Sequence, residues 1–339
     1  MKSTLFQKGD CGIDTFRIPS IIALPSGKVL IFCEGRLDSE EDYGNITIVM
    51  RSFDDGEHFS PVRNLLFGNG HAISNPSPIY DSDRKRLFLM YNRNFSGGNE
   101  RFVRDGKGSI QVFYIYSDNE GETWSDEQEI TKYVMKPGWT YHAFGPCHGI
   151  YSGGRLMSAA NHNDMNSDDR TFSHVVYSDD HGQTWQVSND LDKNSNEATL
   201  AADGNGHVLI NMRWHNTHKD EPVVHRRLQA YSSDNGSTFT GFEVRDDLTD
   251  PGCEACLLTV QTENGNEMLF CNNESEKREN LTVKRSSDLG RTWEKAYTVE
   301  TGLSAYSDMA QLKDGRIAVV YETGVQGTYE EIRLCIFEL

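Results

Sequence analysis

The sequence predicts an all-β chain folded as a six-bladed β-propeller with four-stranded antiparallel blades. Three observations carry that prediction: a turn motif repeated five times at a blade-sized period, two strand-like runs ahead of every copy, and unpaired strand signals at the two ends of the chain that complete one another. The motif has the form Ser-x-Asp-x-Gly-x-Thr-Trp and stands unaltered at Ser178 to Trp185 (SDDHGQTW) and Ser286 to Trp293 (SSDLGRTW). Ser232 to Phe239 ends in Phe, Ser117 to Trp124 has Asn119 at the Asp position, and Ser52 to Phe59 has His58 at the Thr position. Successive copies start 54 to 65 residues apart, the length of one blade with its loops. In such a turn a carboxylate accepts backbone N–H bonds, a glycine takes the conformation other residues resist, and an aromatic ring plugs the seam beneath. The motif is therefore read as structural.

The strands follow in order. Val29 to Phe32, Leu87 to Met90, Arg155 to Met157, His207 to Ile210 and Met268 to Phe270 supply second strands. Ile46 to Met50, Ile110 to Ile115, His174 to Tyr177, Leu228 to Tyr231 and Leu281 to Lys284 supply third strands, so each turn lies between the third and fourth strands of a meander. After the last copy, Asp308 to Leu312, Ile317 to Val320 and Ile332 to Phe337 give three more strands without a turn motif. A sixth blade that borrows the N-terminal strand near Leu5 closes the ring, and closure removes exposed sheet edges.

Composition narrows the partners. The 339 residues are 37% hydrophobic and 10% aromatic, enough for strands that pack large side chains between sheets. A formal charge of −18 excludes wrapping nucleic acid or docking on anionic lipid, both of which need clustered Lys and Arg. A small acid remains a possible ligand, because exposed charges are screened beyond roughly 8 Å and a few converging arginines still hold a carboxylate. The N-terminus shows no signal-peptide run and no segment approaches membrane-spanning length, so a soluble, cytoplasmic chain is expected, or a secreted or periplasmic one if a leader has been trimmed. Seven scattered cysteines do not form a disulfide framework, and Cys253-x-x-Cys256 lacks the second pair a zinc site needs. His215-x-x-His218 is read as a surface coincidence and no metal or other cofactor is expected.

In an antiparallel blade the start of strand one, the end of strand two and the start of strand three share one end. The unusual residues collect there, opposite the turns: Arg17 and Pro19, Arg36, Asp42, Arg93, Glu197, Arg213, Arg278, Tyr306 and Glu322. Loops on any surface gather charge, but arginines from separate blades converging on one axis repel one another unless an anion or acidic neighbours offset them.

With these residues in hand, the chain resembles the exo-α-sialidases (neuraminidases) of the bacterial and animal type over nearly its whole length. The resemblance rests on Phe16-Arg-Ile-Pro19 and on the repeated turns, known in that family as Asp boxes or BNR repeats. It is supported by Glu34-Gly-Arg36 with Asp42-x-Gly44, Gly145-Pro-x-x-Gly149, Asn196-Glu197 with Asn211-Met-Arg213, Arg278 ahead of the fifth box, and Tyr306-Ser-Asp308 with Tyr321-Glu322. Departures are Asn119, His58, and Cys147 where the family often has Gly.

The resemblance implies one sialidase-type catalytic propeller over residues 1–339, with no separate lectin or membrane domain. Arg17, Arg213 and Arg278 would grip the substrate carboxylate, and Glu322 would orient Arg17. Tyr306 would be the nucleophile with Glu197 as its base, the sialidase exception to two-carboxylate glycosidases. Asp42 would protonate the leaving oxygen and then activate water, giving retention, and Arg36 would contact the sugar on its O4 side. Trp139, Tyr141 and His142 either shape the acyl or aglycone pocket or simply pack. The implied partner is a sialylated glycan on glycoprotein, glycolipid (ganglioside) or oligosaccharide, acted on by a monomer without inserting into a membrane. A catalytically silent sialic-acid-binding propeller, and a trans-sialidase or anhydro-forming variant, use the same arginines and stay open at this point.

Overall fold

The computed structural model describes all residues except 55–57, 167–170, 192–193, 216–223 and 264. Among the described residues the strand ladders fall into six antiparallel meanders in chain order. The first comprises Thr15–Ala23, Val29–Arg36, Ile46–Phe53 and Arg63–Leu66, and the second Ala72–Asp81, Arg86–Asn94, Ile110–Ser117 and Gln128–Glu129. The third comprises Trp139–Phe144, Arg155–Asp164, Thr171–Ser178 and Gln186–Val187, with Ile150–Ser152 added against its second strand. The fourth comprises Ser195–Ala202, Val208–Trp214, Arg226–Ser232 and Thr240–Thr249. The fifth has Cys256–Thr262, Gly265–Asn273 and Glu279–Ser286, and the sixth has Ile317–Thr323, Glu331–Phe337 and the N-terminal Lys2–Gln7. One 18-residue strand, Glu294–Gln311, serves both, closing the fifth meander through residues before 304 and opening the sixth with the rest. Lys2–Gln7 lies antiparallel to Glu331–Phe337, as the chain-end strand signals required.

The meanders pack as a ring because both faces of their inner strands are largely buried, whereas the outermost ones are exposed, and successive side chains point to opposite neighbours. Ile31 joins a cluster with Val320 and Leu334 of the sixth meander, while Leu30 and Phe32 join Leu87 and Leu89 of the second. Further apolar clusters bridge the second and third, third and fourth, fourth and fifth, and fifth and sixth meanders. The aromatic ring closing each turn motif enters the seam with the preceding meander: Phe59, Trp124, Trp185, Phe239 and Trp293 in order. In the third copy Asp180 accepts from the Thr184 amide (2.8 Å) and hydroxyl (2.6 Å), and Ser178 Oγ accepts from Gly182 N at 2.8 Å. Gly182 has φ 84°, and a Cβ there would meet Phe88 at 2.6 Å, so both backbone and packing demand glycine. The arrangement is a β-propeller.

Short helices at Glu100–Arg104 and Thr131–Val134 interrupt the connections, a feature the strand pattern did not signal. Among the described residues no helix is long and apolar enough to cross a membrane.

One irregularity recurs and positions the site. The first strands of five meanders shift register near their beginning: between Arg17 and Ser20, Ser74 and Ser77, Trp139 and Tyr141, Ser195 and Ala198, and Ser304 and Ser307. A bulge re-aims side chains and leaves backbone groups without ladder partners. Buried side chains of neighbouring strands take up the freed amides. Glu34 accepts from Asn75 N (3.0 Å), and Glu322 accepts from Ile18 N (2.8 Å) and Tyr306 N (3.3 Å). Glu254 accepts from Ser307 N at 2.8 Å. Pro19, which has no N–H to satisfy, sits inside the first of these bulges.

Candidate active site

Three of the bulges deliver Arg17, Glu197 and Tyr306 to the propeller hub. Glu197 and Tyr306 lie inside their strands, not just ahead of them, and it is the register shift that frees them from the ladder. Arg213 comes from the end of the fourth meander's second strand and Arg278 from the residue before Glu279–Ser286.

Tyr306 is the meeting point. Its hydroxyl donates to Glu197 Oε1, and Arg213 Nη1 lies 2.7 Å from Glu197 Oε2 and 3.3 Å from the phenol oxygen. The guanidinium carbons of Arg17 and Arg278 stand 5.3 and 5.5 Å from the Tyr306 ring centre. The three arginines predicted from separate blades therefore surround one phenol. Arg17 Nε donates to Glu322 Oε1 at 2.6 Å, and that carboxylate is wholly buried. Tyr329, which strand alternation also places at this end, stacks on Arg17 at 3.7 Å and accepts from Arg278 Nη1 at 2.6 Å.

A cavity of about 240 Å³ opens beside the phenol, lined by Tyr306, Glu197, Arg213, Asp42, Arg36 and Tyr141 among others. Asp42 is exposed there. Arg36 is held by Glu34, with Nε and Nη2 at 2.9 and 2.8 Å from Oε2. Glu100, paired with Arg104 on the short helix, also lines the cavity, as do Asn75, Asn161, Asn196 and His215. No local motif in the sequence points to Glu100. His218 of the His215-x-x-His218 spacing lies outside the described residues.

Trp139 and His142, grouped with the site face from sequence, are not in the cavity wall. Trp139 stacks on His162 at 3.4 Å and His142 is fully buried beside Asn92, because strand alternation sends Tyr141 and Ala143 to the cavity and His142 to the seam. Arg93 pairs with Glu127 instead of entering the cavity. Cys253 and Cys256 are both buried and free. Among the described residues no group of three His, Cys, Asp or Glu is arranged to hold a metal ion.

The electrostatics follow from burial and pairing. Burial disfavours the Arg17 and Arg213 cations, but Glu322 and Glu197 outweigh it and hold both guanidinium pKa values above their ordinary range. Burial also pushes the Glu197 carboxyl up, yet Arg213 and the Tyr306 hydroxyl together bring it below the usual carboxylate range. Tyr306 is raised well above an ordinary phenol, by burial first and by the Glu197 charge second. The resting pair is a neutral phenol donating to an ionised carboxylate, with three guanidinium groups around it.

A family model described as BNR repeat-like domain matches residues 27–319. The chain is similar to Sialidase-2 of Cricetulus griseus, at 26% identity over 375 residues, covering 100% of this chain and 95% of that protein. It is similar to a sialidase of Bacteroides fragilis at 27% identity, covering 96% of this chain and 63% of the other. Among solved structures, Hadza microbial sialidase Hz136 superposes with a TM-score of 0.88 at 24% identity, covering 100% of this chain and 68% of that one. The intramolecular trans-sialidase from Ruminococcus gnavus superposes with a TM-score of 0.80 at 17% identity, covering 99% and 97%. These two structural likenesses speak for the fold.

Proposed function

Because this chain belongs to the BNR repeat-like domain family, among its sialidases, we propose that it is an exo-α-sialidase that hydrolyses terminal α-linked sialic acid from glycans with retention. The observation that carries the reading is the convergence of Arg17, Arg213 and Arg278 on Tyr306, whose hydroxyl is already hydrogen-bonded to Glu197. The three guanidinium groups bind the sugar carboxylate, with Glu322 fixing Arg17, and so bring the anomeric carbon over the phenol.

Tyr306 Oη attacks that carbon as its proton passes to Glu197. The glycosidic C–O bond breaks, and its oxygen takes a proton from Asp42. Water, deprotonated by Asp42, then attacks the anomeric carbon; the bond to Tyr306 breaks and Glu197 returns the proton to the phenolate. Two inversions at one carbon give net retention. A neutral phenol suits this substrate because an Asp or Glu nucleophile would be repelled by the sugar's own carboxylate. Arg36 and the polar residues around it face the remaining ring substituents.

Incubation with a fluorogenic α-sialoside is expected to release free sialic acid as the α anomer first, read by NMR. Wild-type protein inert toward sialosides across a broad pH range, yet binding them, would return the chain to a silent receptor. A product that is an anhydro sugar or a transferred sialoside would assign it to the transfer variants.

A further inference from the structure

Cys147, the departure from glycine noted in the sequence, keeps a glycine-like backbone with φ 109°. Its Sγ donates to Glu254 Oε1 at 2.7 Å, with Ala255 O at 3.4 Å and Ser307 O at 3.7 Å. Glu254 is 2% exposed and lies two residues before the first strand of the fifth meander, at the same end of the propeller as Arg17, Glu197 and Tyr306. It turns instead toward the neighbouring strand, where Oε2 accepts from Ser307 N at 2.8 Å. Two consecutive amides of the bulge, Tyr306 N and Ser307 N, are thus held by two buried carboxylates, Glu322 and Glu254.

We propose that Glu254 is a positioning residue for Tyr306: the Cys147 thiol holds its carboxyl, and its grip on the Ser307 amide maintains the bulge that aims the phenol at the reacting carbon. The proposal rests on the reading of Tyr306 as nucleophile. The physical reason is the shift between Ser304 and Ser307. Without an acceptor a buried Ser307 N–H is orphaned, and the strand regains a partner only by slipping toward regular register. Side chains alternate along a strand, so even a partial slip swings Tyr306 away from Glu197. Burial pushes the Glu254 carboxyl well up, with the thiol and the amide pulling it back, so a neutral amide of the same shape is a fair replacement.

The test compares Glu254→Ala, Glu254→Gln, Cys147→Gly and Tyr306→Phe on a fluorogenic α-sialoside, with thermal midpoints and the inhibition constant of free sialic acid measured alongside. Glu254→Ala is expected to lower kcat by about tenfold to a hundredfold, the effect of a small misplacement at the reacting centre. KM and inhibition by free sialic acid, which report on the arginines, stay within about twofold, and Glu254→Gln restores most of the rate. Cys147→Gly relieves a strained φ, so a purely structural role predicts unchanged or better turnover; the proposal predicts a kcat several-fold lower at an equal or higher midpoint. Glu254→Ala at full kcat beside an inactive Tyr306→Phe rejects the positioning role alone. An active Tyr306→Phe rejects the nucleophile reading and the positioning role with it.

Discussion

At the turn end of the propeller, carboxylates serve their own backbone, as Asp180, Asp234 and Asp288 do for the threonine four residues on. At the site end, Glu34 and Glu322 from their strands and Glu254 from the connection ahead of its strand reach to amides of the next meander, and Glu322 also holds a buried guanidinium. Apolar exposure divides the same way. Tyr43, Phe67, Phe95, Phe102, Tyr133, Met165 and Val325 are exposed in connections at the site end, and none of the exposed large apolar residues described lies in a turn motif. A local turn survives damage to its neighbours, whereas the site end exists only when separate meanders are docked.

Substitutions that separate chemistry from docking test this contrast. Tyr306→Phe removes only the oxygen proposed to attack and is expected to lower kcat by about a thousandfold or more with the thermal midpoint unchanged. Equal loss of folded protein would erase the contrast. Glu322→Ala strands the Arg17 cation in the interior and should cost about 3–5 kcal/mol in urea unfolding along with activity, and Glu322→Gln less.

Acid sharpens the picture next. His142 and His162 are pushed down to about 3, by burial first and then by His162 and Lys136 respectively, and burial holds His174 well below its ordinary value. The unfolded chain takes up protons on these groups below pH ~6.5 while the folded one does not, so their stability is complete above that pH and is lost as pH falls toward 3. Thermal midpoints should drop from neutral pH downward, with a shallower slope in His174→Asn. An identical slope would remove the histidines from the account. The smallest effect belongs to the turn end. Asp180→Ala should cost about 1–2 kcal/mol with kcat and KM intact. Asp180 lies below the usual carboxylate range, burial being outweighed by Thr184 and Ser178, so its contribution is present above pH ~4 and fades as pH drops through that range.

The turn motifs were legible in the sequence because the hydrogen bonds of their Ser and Asp side chains close within four residues, at fixed offsets. Strand order followed from the turns, and direction alone put Arg17, Arg213, Arg278, Glu197 and Tyr306 at a common end. Their meeting around the phenol, the part on which the functional reading stands, is a long-range fact that alternation made plausible. What could not be read was register. Trp139 and Tyr141 share a face in a regular strand, and the shift between them separates a packing ring from a cavity wall. Glu254 and Cys147 lie 107 positions apart, and no spacing rule joins them. Tyr329 was reachable, since it falls in the loop after Glu322 at the same end, but a lone loop tyrosine carries no motif.

Lys2–Gln7 finds its partner on Glu331–Phe337, with Thr4 Oγ1 donating to Glu331 across 327 positions. That N-terminal strand leads in the chain directly to the first meander, which holds Arg17, while its partner strand belongs to the sixth, which holds Glu322. In a refolding chain whose ring is still unlatched, most tryptophan environments should form before Arg17 meets Glu322, and recovery of catalysis should trail recovery of fluorescence by the time the latch takes to shut.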